Sequence, residues 1–118
     1  MSMNRTELFE FQKKTFDNLL ELTRKKNADY SGKGDDAFKN FNLVQQFGCV
    51  TTEQGFFTRM IDKISRISSF IENGELMVKD ESVTDTLLDL ANYSVLFAAY
   101  LEGKRRDLEN ENLSGPTL

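Results

Sequence analysis

One stretch limits what this chain can fold into. Residues 81–101 contain neither glycine nor proline and read as helix throughout. From 87 to 101 the helix is apolar on nearly every side, the pattern of a helix buried in a larger core or between subunits. Yet it carries Asp85 and Asp89, with Glu81 one turn earlier. Residues four apart share a helix face, so these three acids form one row with Asn92 beside it. A carboxylate on a buried helix must be paired, hydrogen-bonded, metal-bound or protonated, because an isolated buried charge is very costly. The rest of the chain must supply the partner.

The chain has 118 residues, is 39% hydrophobic and 29% charged, and carries a net charge of −4. Those values suit a single helical domain with a core near 6–109 and a flexible tail at 110–118. The acidic balance argues against extended nucleic-acid binding. There is no histidine and one cysteine, Cys49. Histidine catalysis and histidine metal ligands are therefore excluded, and a metal site would be oxygen-rich, favouring Mg²⁺ or Mn²⁺. A lone cysteine fits a reducing compartment. With no membrane span and no signal-peptide pattern, the expected location is the cytoplasm.

Thr6 is the expected cap of a first helix reaching about residue 26, with Leu8, Phe9, Phe11, Phe16, Leu19, Leu20 and Leu22 as its apolar face. Residues 27–42 hold two glycines, three aspartates and three asparagines and read as a loop. Its aromatics, Tyr30, Phe38 and Phe41, either read a base or phosphate or anchor the loop on the core; both roles can coexist. Residues 42–47 form a short helix ended by Gly48. Thr51 or Thr52 caps a third helix of about 52–72, stopped by Asn73 and Gly74. Phe57, Met60, Ile61, Ile64, Ile67 and Ile71 are its expected core face, with Arg59, Asp62, Lys63 and Arg66 opposite. Asp80 or Ser82 caps the last helix, which turns polar at Glu102 and frays beyond about residue 111.

No phosphate loop, dinucleotide fingerprint, zinc pattern or nucleophile elbow is present. What remains is an acidic row, a cationic face and a polar aromatic loop. Carboxylates hold Mg²⁺ while leaving waters on it, and such an ion bridges phosphate oxygens and activates water. Arg and Lys neutralise charge developing on phosphate. The parts suit a phosphorylated small molecule. They also suit a purely structural salt-bridge network between the row and Arg59, Lys63 or Arg66.

Four groups of residues carry a resemblance. They are Lys26, Asn27, Asp29 and Tyr30; Asp36 to Phe41; Arg59, Asp62, Lys63 and Arg66; and Asp80 to Tyr93. Together they resemble the first type of nucleotide-modification-associated domain, a small family of phages and bacteria, over about residues 8–101. More distantly the chain is similar to the all-α nucleoside triphosphate pyrophosphatases, the MazG and dUTPase-like group. Those are oligomeric helical bundles that use Mg²⁺ on paired acidic motifs to release pyrophosphate. The resemblance aligns Asp89 and Tyr93 with the second motif and Asp62 with the first. Thr86 and Arg59 stand where two further acids would be, with Glu81 and Asp85 able to compensate.

The expectation is thus an all-α bundle of four main helices plus a short one, MazG-like and oligomeric, because the last helix has more apolar surface than one small bundle covers. The resemblance implies a Mg²⁺-dependent nucleotide pyrophosphohydrolase or related protein. Asp62, Lys63, Asp85 and Asp89 would be catalytic, and Asp62, Glu81, Asp85 and Asp89 would hold metal. Lys26, Asp29, Tyr30, Phe38, Lys39, Asn40, Phe41, Arg59, Arg66, Asn92 and Tyr93 would contact substrate. The alternative is a non-catalytic binder that sequesters a nucleotide or nucleotide signal, for example as a phage countermeasure to host defence.

Overall fold

The last helix begins where Ser82 caps it, the Asp85 backbone N–H donating to Ser82 Oγ at 3.0 Å. The computed structural model describes residues 2–31, 36–74 and 82–114, with backbone alone at 29–31 and 113–114. Four α-helices and no strand occur among them: α1 (Arg5–Ser31), α2 (Lys39–Gln46), α3 (Thr52–Asn73) and α4 (Val83–Ser114). The chain is all-α as expected, with three long helices and one short one among the described residues. No described helix is long and apolar enough to cross a membrane. The fold divides into two compact units, Met1–Asn40 and Phe41–Leu118.

In the first unit, Asn4 rather than Thr6 caps α1. The Glu7 N–H donates to Asn4 Oδ1 at 2.8 Å, and Glu7 Oε1 accepts from the Asn4 N–H at 3.2 Å. This reciprocal pair satisfies two orphan donors at once, which one hydroxyl at Thr6 cannot do. At its other end α1 runs on through Ser31, so the first part of the expected loop is helical. No glycine interrupts it before Gly32. Beyond it, Asp36 Oδ1 accepts from the Phe38 N–H at 3.0 Å, and Asn27 donates its side-chain amide to the Ala37 carbonyl at 2.6 Å. Of the expected apolar face only Leu19 is buried; Leu8, Phe9, Phe11, Phe16, Leu20 and Leu22 are exposed.

The second unit is built on α3 and α4. α2 leads into it and ends in a Schellman motif: Gly48 adopts φ 73°, its N–H donates to Gln45, and the Cys49 N–H reaches back to Val44. Thr51 then caps α3 in a reciprocal box with Gln54, and Gly74 closes it at φ 75° with its N–H on the Phe70 carbonyl. Thr52, almost wholly buried, donates its N–H to Gln45 Oε1 at 3.1 Å, and its hydroxyl lies 3.2 Å from both Gln45 Oε1 and Asn42 Oδ1. Gly55 lets α2 come close, since Val44 stands 2.8 Å from where a Cβ would be.

The core centres on Phe56, which stacks on Phe41 at 4.0 Å between ring centroids and on Phe97 at 4.9 Å. The expected core face of α3 is therefore rotated. Phe57, Ile61, Ile64 and Ile71 remain 46–76% exposed, whereas Met60 and Ile67 are half-buried. α4 is likewise not buried all round; Leu87, Val95 and Leu101 are exposed, and Thr86 is its one fully buried side chain among the described residues. α4 extends to Ser114, past the expected fraying point, along a surface lattice in which Glu102 accepts from Arg105 and Arg106, and Arg105 also meets Glu109. The arginines, Arg105 foremost, hold the Glu102 carboxyl down to about 2.

Candidate functional site

Five sequence-derived candidates of the second unit, Phe41, Arg59, Lys63, Asp89 and Tyr93, gather in two rungs between α3 and α4. Arg59 and Lys63 lie one turn apart on α3, as Asp89 and Tyr93 do on α4. In the first rung, the Arg59 guanidinium carbon sits 4.7 Å from the centroid of the Phe41 ring, and Tyr93 meets the same ring edge-on at 6.4 Å. In the second, Lys63 Nζ lies 3.4 Å from Asp89 Oδ2. Phe41, buried and stacked on Phe56, anchors the first rung.

One acid of the row, Asp89, has a partner, and it is a lysine. Lys63 is mostly buried, so its ammonium needs a nearby anion, and Asp89 supplies it. Asp62 pairs with Arg66 one turn along α3 at 3.5 Å. Asp85 is exposed in the first turn of α4, where a negative charge also suits the helix dipole. Glu81 lies outside the described residues. Among those that are described, no three acidic or cysteine side chains converge as a metal-holding group. Asn92 is half-buried on α4 beside the row. Arg59 has no carboxylate partner among the described residues, and the Phe41 ring is what holds its guanidinium.

The remaining candidates belong to the first unit up to Asn40. Lys26 lies on α1, exposed; the side chains of Asp29 and Tyr30 are outside the description. Phe38 precedes α2 and is half-buried, while Lys39 and Asn40 open α2. The residue that sequence reasoning missed is Phe56, passed over in favour of its neighbour Phe57. Its signal was the glycine before it, since Gly55 marks the point where another helix approaches.

At the far end of α3, Glu53 accepts from Lys104 at 3.0 Å and from the Tyr100 hydroxyl at 3.3 Å. The Lys104 hydrogen bond holds the Glu53 carboxyl below its usual range. This cluster bolts α3 to α4 away from the two rungs.

Comparison with curated proteins and with solved structures gives no match. A family model, described as nucleotide modification associated domain 1, does match, and it spans residues 26–99, taking in both rungs and all of α2 and α3. The chain belongs to the nucleotide modification associated domain 1 family.

Proposed function

We propose that the two rungs bind the phosphate end of a nucleotide. The observation that carries this is Arg59: a half-buried guanidinium held over an aromatic ring with no carboxylate partner among the described residues. Such a group is oriented in advance and its hydrogen-bond donors are available to an anion. Lys63 and Arg66 follow it on α3, adding positive charge in an otherwise acidic chain. Both have carboxylate neighbours, so a phosphate would compete with Asp89 and Asp62 for them. The family's description supports a nucleotide as the ligand class, and Asn92 and Tyr93 on α4 are the candidate contacts to the rest of the molecule. In this reading the protein is a binder, and metal is dispensable.

The second reading is Mg²⁺-dependent pyrophosphohydrolysis. It is favoured by Asp85 and Asp89, two carboxylates one turn apart on one helix. Mg²⁺ is commonly held by one or two carboxylates together with substrate phosphates, so this pair meets the minimum donor set. Asp89 would first have to exchange Lys63 for the metal. The ion would supply charge neutralisation at the phosphates and an activated water.

The experiment is a calorimetric titration with a panel of nucleoside mono-, di- and triphosphates, in Mg²⁺ and in EDTA, with analysis of the recovered nucleotide. Unchanged nucleotide bound equally in EDTA supports the binder. Pyrophosphate release confined to Mg²⁺ supports the hydrolase. No heat from any nucleotide in either buffer overturns both.

A further inference from the structure

The side of the α3–α4 pair that faces away from α2 is a second, uncharged surface, and we propose that it seats the same surface of a second copy of this chain. The helices run antiparallel: Glu53 near the start of α3 meets Tyr100 and Lys104 late in α4, and Lys63 further along α3 meets Asp89 earlier in α4. On α3, Phe57, Ile61, Ile64, Ser68 and Ile71 recur at alternating steps of four and three. On α4, Leu87, Ala91, Ser94, Ala98 and Leu101 do the same. That spacing is the seam of a coiled coil.

Along both seams, residues directly follow ones turned toward the other helix or the core: Phe57 follows Phe56, Ile64 follows Lys63, Leu87 follows Thr86 and Ala98 follows Phe97. One residue is about 100° of helix rotation. The same rotation sense on two antiparallel helices brings both seams to one side of the pair. α2 touches Gly55 and Arg59, which precede core positions instead, so it occupies the opposite side. The seams therefore form one continuous face two helices wide.

Nine of the ten seam residues are exposed or nearly so, only Ala91 being half-buried, and none is charged in a chain that is 29% charged. The six large ones are 46–76% exposed. At about 150–200 Å² per large side chain, they present roughly 500–600 Å² per copy, the upper end of the largest apolar patch on a typical monomer, where such patches are often functional. Two copies bring roughly 1,000–1,200 Å², enough for a specific interface. The face is two helices wide, so a partner that covers both rows along their length presents two helices in turn. A second α3–α4 pair is such a partner, and it is complementary: the bulky α3 row fits over the small Ala91, Ser94 and Ala98 of the other copy. This pairing is independent of the nucleotide reading, since the rungs lie between the helices and toward α2.

The test is sedimentation of the full chain and three variants, with far-UV circular dichroism as the check of folding. The parent should sediment as a dimer or a larger assembly of dimers. Ile64→Glu on α3 and Ala98→Glu on α4 should each weaken self-association at least tenfold with helicity retained. Phe47→Glu alters an equally apolar, 78% exposed residue off this face and should leave association unchanged. Should Ile64→Glu fail to fold, Ile64→Ala replaces it with the same expected direction. A parent that stays monomeric at tens of micromolar, or association indifferent to both seam substitutions, overturns the proposal.

Discussion

Lys63 and Asp89 tie α3 to α4 through an ion pair of 3.4 Å in which the lysine is the deeper partner, its side chain 13% exposed against 35% for the aspartate. The pair is neither a surface bridge nor a fully buried one. Surface pairs contribute about 0–1 kcal/mol, and breaking a buried pair costs about 3–5 kcal/mol. Removing one member here should fall between those limits, because the lysine left behind cannot regain full hydration.

Asp89→Asn should therefore destabilise the protein by about 1–3 kcal/mol. The loss should be the same in Mg²⁺ and in EDTA. Melting curves of parent and variant in both buffers measure it. A parent whose melting temperature rises with Mg²⁺, with that rise absent from Asp89→Asn, would instead make Asp89 a metal ligand and favour the hydrolase.

A second prediction concerns the close approach of α2 to α3. A Cβ added at Gly55 would stand 2.8 Å from Val44 Cγ2, and the β-branched valine has little rotamer freedom with which to retreat. Gly55→Ala should cost about 1–3 kcal/mol by overpacking. Gly103, on α4, has open space around it, so Gly103→Ala should stabilise by about 0.5–1 kcal/mol through helix propensity alone. Urea unfolding of the two variants should move the midpoint in opposite directions.

The ends of α3 were legible from sequence because local rules set them. Thr51 with Gln54 is a capping box, and Gly74 supplies the positive φ that helix ends favour. The face of α3 was not legible. Its apolar residues form two adjacent stripes, one through Phe56, Met60 and Ile67 and one through Phe57, Ile61, Ile64 and Ile71. Periodicity detects both, and only tertiary packing decides which one α4 covers. The same limit applies to the site. That Asp89 needs a partner followed from burial cost, with a metal ion and three cations of α3, Arg59, Lys63 and Arg66, on offer. That the cation is Lys63, leaving Arg59 to Phe41, depends on α2 entering beside Gly55.

The acid response should reside partly in carboxylates held by cations. Lys104 depresses Glu53, and Arg105 holds Glu102 down to about 2 from an ordinary 4.5. A carboxyl depressed in the folded state contributes stability above its unfolded pKa, and that contribution is lost as pH falls through the folded value. Melting temperature should therefore decline as pH drops from 4.5 toward 2. Glu53→Gln removes one of these groups, so its curve should fall less steeply over the acid range while starting lower at neutral pH. An acid slope identical to the parent's would mean that the Glu53–Lys104 hydrogen bond is not maintained in solution.

The last prediction isolates Arg59. Its role in the fold is small: a partly exposed cation–π contact is worth about 0.5–1 kcal/mol, so Arg59→Ala should shift melting only slightly. Its role in binding should be larger. Hydrogen bonds to a charged group contribute about 1.5–3 kcal/mol, so the same substitution should weaken nucleotide affinity roughly 10-fold to 150-fold. Arg59→Lys keeps the charge but loses the planar fork and its stacking on Phe41, and should recover only part of that loss. The measurement is the calorimetric Kd of the tightest nucleotide for parent, Arg59→Lys and Arg59→Ala, beside their melting curves. A graded loss of affinity at nearly constant stability assigns Arg59 to the phosphate. Equal affinity in all three, or a collapse of stability in Arg59→Ala, returns the arginine to a packing role and removes the observation on which the binder reading stands.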